Sequence, residues 1–167
     1  MIHKNLEIVP MITDEQIRET AILADEIWHQ HFVPLIGETQ VDYMLEKFQS
    51  FPALKEQLNQ GYEYFHLISG DHLIGYTGVH AEDGKLFLSK LYLKKDVRGQ
   101  HFSTRVLDFL KSLCKERHLT SIWLTCNRYN EHSLTVYDHL GFQRVNTQVA
   151  DIGNGFVMDD YIMELFL

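Results

Sequence analysis

Leu91-Tyr92-Leu93-Lys94-Lys95-Asp96-Val97-Arg98-Gly99-Gln100-His101-Phe102-Ser103-Thr104 is the segment on which the reading of this chain turns. It continues a strand, Leu86 to Leu93, that is apolar at nearly every position, as a central strand covered on both faces must be. Asp96 to Ser103 is a polar turn, and the helix that follows carries Val106, Phe109, Leu110 and Leu113 on one face before ending near His118. Successive amides in such a turn point at one place, and the unsatisfied N–H groups and positive dipole end of the helix add to the same field. Arg98 brings a full charge and a two-pronged donor. The geometry suits a pyrophosphate.

Upstream of this segment the period is that of helices, then of strands. A short strand containing Leu6 and Ile8 precedes Thr13, which with Gln16 forms a capping box for a helix running to about Phe32, closed by Pro34 and Gly37. Glu38 to Ser50 repeats the helical pattern, and Pro52 opens a third helix that stops at Gly61. From Tyr62 alternation takes over: Tyr62 to Ile68 and Leu73 to His80 flank a Gly70-Asp71 turn, and Asp83-Gly84 turns the chain into Leu86 to Leu93. Downstream, Ser121 to Thr125 is a strand, Asn130 to Leu140 a helix ended by Gly141, and Phe142 to Val149 pairs with Phe156 to Leu165. These elements predict one domain over residues 1–167 of the α/β (α+β) class. It has a mixed, mostly antiparallel central sheet flanked by helices, with a helical segment between the first and second strands.

The chain has 167 residues, 45% of them hydrophobic, enough for a sizeable core. Its net charge of −8 argues against nucleic-acid and anionic-membrane partners, which need a cationic footprint. Cys114 and Cys126 both lie in apolar periodic segments, so a disulfide framework is not expected and a reducing cytoplasm is. The stretch from Met1 to Glu7 has no long apolar run after a basic start, and no stretch approaches a membrane span. Ten histidines are present, but His29 with His31, and His132 with His139, are not at zinc spacings, so no metal is expected.

The turn at Arg98 and Gly99 resembles the coenzyme A signature of the Gcn5-related N-acetyltransferase superfamily, which usually reads Arg or Gln, two residues, Gly, one residue, Gly or Ala. Aligning Arg98-Gly99 with the arginine and glycine puts His101 and Ser103 where glycine or alanine is common. The hydroxyls of Ser103 and Thr104 and a ring nitrogen of His101 offer compensating donors. A second stretch is similar to that superfamily's other cofactor motif: Asn130, Ser133, Tyr137, Gly141 and Phe142 all match its spacing. Ser133 and Tyr137, four apart on a helix, share a face with Asn130. The resemblance covers roughly residues 62 to 166. It implies acetyl-CoA bound by Arg98, Gly99, Gln100, His101, Phe102, Ser103 and Thr104, by Asn130, Ser133 and Tyr137, and by pairing of pantetheine amides with the backbone of Leu91, Tyr92 and Leu93.

Acetyl transfer to an amine needs a neutral nitrogen, a polarised carbonyl and a proton for the departing thiolate. Tyr137 is the candidate for the last role. The base is left open: the strand Leu86 to Leu93 offers Ser89 and Lys90 but no carboxylate, His80, Glu82 and Asp83 lie just before it, and water is a further relay. Cys126 is a candidate for a first acetyl acceptor, but direct attack in a ternary complex is preferred because such a thiol is more often packed core.

The segment from His31 to Leu45 is similar to the variable helical part of bacterial polyamine acetyltransferases of the spermidine and spermine type. This implies a small-molecule amine, best a polyamine, received by Glu38 and Asp42, with Glu46 on the same face and Glu82 a further acidic contact. A protein amino terminus or amino acid as acceptor, and an acyl-CoA-binding sensor module without turnover, are the competing readings. A homodimer is compatible with all three.

Overall fold

The computed structural model describes residues 5–167; Met1 to Lys4, part of the stretch read for a leader, lie outside it. Strand β1 (Glu7–Pro10) leads into α1 (Asp14–Ile36), α2 (Glu38–Met44), a π-helical turn (Leu45–Gln49) and α3 (Phe51–Asn59). Three antiparallel strands follow, β2 (Glu63–Ser69), β3 (His72–Glu82) and β4 (Lys85–Leu93). Then come α4 (Phe102–Arg117), β5 (Ser121–Asn127), α5 (Glu131–His139) and the hairpin of β6 (Gln143–Gly153) and β7 (Phe156–Phe166). One seven-stranded sheet results, in the order β1-β2-β3-β4-β5-β7-β6, and only β4 and β5 are parallel. Among the described residues no helix is long and apolar enough to cross a membrane.

Two apolar layers cover the sheet. On one face α4 and α5 pack through Val106, Leu110 and Leu134 onto Leu86, Ile122 and Met163. On the other, α1 to α3 pack through Ile17, Ala24, Val41 and Leu54 onto Tyr64 and Tyr76. Each fully buried Leu or Ile in these layers contributes about 2 kcal/mol relative to an exposed one. β4 touches both layers, which explains its continuous apolar run.

The helical third differs from the sequence reading at two places. The capping box is present, with Thr13 Oγ1 accepting from the Gln16 amide at 3.2 Å and Gln16 Oε1 accepting from the Thr13 amide at 2.9 Å. The helix, however, runs through Pro34 to Ile36 and ends at Gly37, whose φ is +86°. Pro34 sits in the last turn, so only one helical hydrogen bond is lost, and the carbonyl it leaves belongs to exposed Gln30, within reach of water. The second helix is not continuous to Ser50. It widens at Leu45–Gln49, where Gln49 is drawn inward to accept from the Tyr76 hydroxyl at 2.9 Å, and Ser50 instead caps α3.

The junction of β4 and β5 is short. Leu86 pairs with Ile122 and Phe87 with Trp123, and the pairing stops there. Between Val79–Leu88 and Gly78–Lys90 the β3–β4 register slips by one, leaving Ser89 as an extra residue in β4. Such a bulge bends the strand that carries it. Beyond it β4 and β5 part, and the edge of β4 from Leu88 to Leu93 is open toward β5.

Candidate active site

A cavity of about 640 Å³ occupies the opening between β4 and β5 and runs from the start of α4 to α1 and α2. One end of it is the turn after β4. Gly99 has φ +78° and His101 φ +63°, so His101 adopts the left-handed backbone that a glycine would occupy with least strain. His101 is the N-terminal boundary residue of α4 and makes no side-chain cap. The first helical hydrogen bond is from the Arg105 amide to the His101 carbonyl. The amides of Gly99 through Thr104 have no protein acceptor among the described residues, and they lie at the positive end of a 16-residue helix. A free cradle of amides beside a cavity fits a diphosphate.

Arg98 is held differently from a free two-pronged donor. Its Nε and Nη2 donate to the Leu93 carbonyl at 3.3 and 3.1 Å, bracing the end of β4, and burial lowers its pKa from the ordinary value. Its charge still faces the cavity, as do His31 of α1 and His132 of α5. The His31 imidazole is pushed down by burial and by the Arg98 charge.

The middle of the cavity is where the strands part. Leu91, Tyr92 and Leu93 line one side and Cys126 and Asn127 the other, and Asn130 together with Ser133 and Tyr137 of α5 closes it from the side of the first apolar layer. Asn130 Oδ1 accepts from the Ser133 amide at 3.3 Å, so that side chain caps α5. The Tyr137 ring rests edge-on against Phe142, 5.5 Å between centroids. Burial, then Cys126, pushes its phenol upward, so it carries its proton throughout the neutral range. Burial, then the Asp160 carboxyl, pushes the Cys126 thiol up to about 12.

The third part of the cavity opens on the other face of the sheet, walled by Trp28, Phe32 and Ile36 of α1, by Gln40 and Met44 of α2, and by Met158 and Asp160 of β7. Trp28, Phe32 and Tyr92 form one aromatic cluster with centroids 4.3 to 6.1 Å apart. Asp160 is absent from the sequence-based candidates. It is 3% exposed, and burial, with some help from Asp159, raises its carboxyl to about 6.

Of the residues predicted from sequence, the structure brings together at this cavity Leu91, Tyr92, Leu93, Arg98, Gly99, His101, Phe102, Ser103, Thr104, Asn130, Ser133 and Tyr137, while Gln100 stands exposed in the turn. Glu38, Asp42 and Glu82 do not line it. Gln40 and Met44 give the cavity face of α2, and Asp42 lies on another face, accepting from His29 Nε2 at 2.7 Å. His29, Glu38 and Asp42 offer three donor atoms within 4.8 Å of one another at the surface. Glu82 pairs with Lys85 at the far end of β4, its carboxylate 3.8 Å from His80.

The whole chain superposes on solved acetyltransferases. It is similar to the PaiA N-acetyltransferase of Thermoplasma acidophilum in complex with coenzyme A (TM-score 0.79, 20% identity, 98% of this chain and 99% of that one). It is also similar to a Gcn5-related N-acetyltransferase of Rhodopseudomonas palustris (0.82, 15%, 100% and 99%) and to an acetyltransferase of Thermus thermophilus (0.71, 16%, 100% and 100%). No curated protein matches the sequence. At these identities the likeness is one of fold, but residues 23–142 also match the model of the acetyltransferase (GNAT) family. With that match across most of its length, the chain belongs to the acetyltransferase (GNAT) family, whose acetyl donor is acetyl-CoA.

Proposed function

We propose that this protein transfers the acetyl group of acetyl-CoA to a primary amine of a small molecule, by direct attack of the amine in a ternary complex. The observation that carries the proposal is one continuous cavity joining an unpaired amide cradle at Gly99–Thr104, an open strand edge at Leu88–Leu93 and a separate chamber against α1 and α2. The cradle would hold the diphosphate, the strand edge would pair with the pantetheine amides, and the chamber is left for the acceptor. Tyr137 is suited to protonate the departing thiolate, since its phenol keeps its proton at neutral pH. A thiol pushed up to about 12 is a poor nucleophile, which supports direct attack over an acetylated Cys126. Two buried free thiols, Cys114 and Cys126, suit a reducing compartment.

Polyamines are the first acceptors to test, because of the resemblance of the segment around residues 31–45 and because a net charge of −8 draws polycations. The test follows free thiol released from acetyl-CoA with spermidine, spermine, diamines, monoamines, amino sugars, amino acids and short peptides. Amine-dependent thiol release with at least one small amine is the expected result. Tight cofactor binding with no acceptor raising thiol release would instead favour a sensor module, and release only with peptides would favour a protein amino terminus.

A further inference from the structure

Resting on the acetyltransferase reading, we infer that Asp160 receives the acceptor as an ammonium ion and takes its proton, so that the acceptor's reacting nitrogen sits beside Asp160 at the opening between β4 and β5. Four observations carry this. Asp160 stands opposite Asn127, the last residue of β5, and shares a face of β7 with Met158, which packs with the α1–α3 layer. That is the acceptor side of the sheet, whereas Tyr137 approaches the opening from the α4–α5 side. The carboxyl is 97% buried, by its 3% exposure, and has no hydrogen-bond or ion-pair partner among the described residues, while its neighbour Asp159 is paired with Arg128 at 2.8 Å. It is the sole carboxylate among the cavity's lining residues, and the walls around it are Trp28, Phe32, Ile36, Met44 and Met158. An uncompensated carboxylate in such walls is costly unless a cation arrives to pair with it.

The proton balance closes. One proton passes from the ammonium to the Asp160 carboxylate and on to water, the neutral nitrogen bonds to the acetyl carbon, and the carbon–sulfur bond breaks. The sulfur takes a proton from Tyr137, and the second proton lost by the nitrogen restores the phenol through water. Release of one net proton per amide formed matches an ammonium as the starting acceptor. Asp160 is matched to one ammonium in the chamber, and the part of the acceptor next to that nitrogen lies against apolar and aromatic walls.

Asp159 on β7, Tyr92 on β4 and Cys126 on β5 interact with Asp160; Arg144 on β6 and, on α5, Asp138 and Tyr137 interact with Cys126, and His31, His132 and His139 line the same cavity. Burial pushes Tyr92, Cys126 and Tyr137 upward, so none of the three accepts this proton. The experiment compares Asp160→Asn with the native protein in thiol release, using the best acceptor of the panel and a second amine of similar shape whose ammonium is mostly deprotonated at the assay pH. Expected is a loss of about 100-fold or more in kcat/KM with the first amine, a much smaller loss with the second, and coenzyme A affinity within about twofold, the last marking an intact fold. The acid limb of the native kcat/KM profile near pH 6 should vanish in the variant, separating it from any limb owed to the histidines. Equal losses with both amines, or an unchanged acid limb, would overturn the role of Asp160 while leaving the acetyltransferase reading intact. Native protein that binds acetyl-CoA but acetylates no amine would overturn both.

Discussion

Phe87 of β4 and Trp123 of β5 are the last residues to pair across the one parallel junction of the sheet, and their rings stack with centroids 4.2 Å apart and planes 25° from parallel. Everything beyond this stack is opening. The stack lies at the apex of the wedge, where two strands must separate without exposing the core behind them.

Removing one ring of the stack should therefore act on stability and on the cofactor together. Trp123 is half-buried, so Trp123→Ala is expected to cost about 2 kcal/mol, read as a lower urea midpoint. It should also weaken acetyl-CoA by several-fold in calorimetry, because the strand edge proposed to pair with the ligand loses its anchor. Weaker binding with an unchanged midpoint would contradict this account of the apex.

The amide cradle depends on two left-handed residues. Nothing lies within 4 Å of a methyl group placed on Gly99, so Gly99→Ala meets strain rather than a clash and should cost about 1 kcal/mol. Turning the chain to relieve that strain misaims the amides, and coenzyme A affinity is expected to fall about tenfold. The opposite change, His101→Gly, relaxes a strained backbone and should raise the melting temperature by about 2 °C with cofactor affinity retained.

Tyr137→Phe deletes one hydroxyl and leaves the ring against Phe142. Turnover is expected to fall about 10- to 100-fold, with coenzyme A affinity within about threefold. Equal turnover would remove the phenol from the proposed chemistry.

Lys90 supplies a pH test that involves no ligand. It is 6% exposed on β4, donates to Gln57 Oε1 at 2.8 Å and to the Tyr64 hydroxyl, and burial lowers its ammonium to about 7. Between that value and the ordinary 10.5 the unfolded chain binds more protons than the folded one, so stability contributed by this site is present at high pH and lost as pH falls through about 7. Melting temperature should rise between pH 7 and pH 9, and Lys90→Met should flatten that slope.

The parts of this molecule written in local sequence are legible from the sequence alone. The Thr13–Gln16 box, the hairpin turns and the helix after Arg98-Gly99 are short-range patterns, and their elements lie where those patterns put them. Pro34 is ambiguous because a proline in a last helical turn looks in sequence like a stop. Asp160 was invisible for a different reason. It follows Asp159 on a strand of mixed polarity and reads as solvated, yet it is buried at a cavity whose other walls, Tyr92, Cys126 and residues of α1 and α2, are distant in sequence. The positions of Glu38 and Asp42 were open in the same way, since periodicity places both on one face of α2 without saying which face meets the cavity.

On the proposed reading, acetyl-CoA enters the wedge between β4 and β5 with its diphosphate on the amides after Arg98. The decisive measurement is a crystal soaked with coenzyme A, in which density is expected for the diphosphate within hydrogen-bonding distance of the amides of Gly99–Thr104 and for the thiol arm along Leu88–Leu93 toward Tyr137. A wedge that stays empty at saturating coenzyme A, or a diphosphate bound elsewhere on the chain, would contradict it.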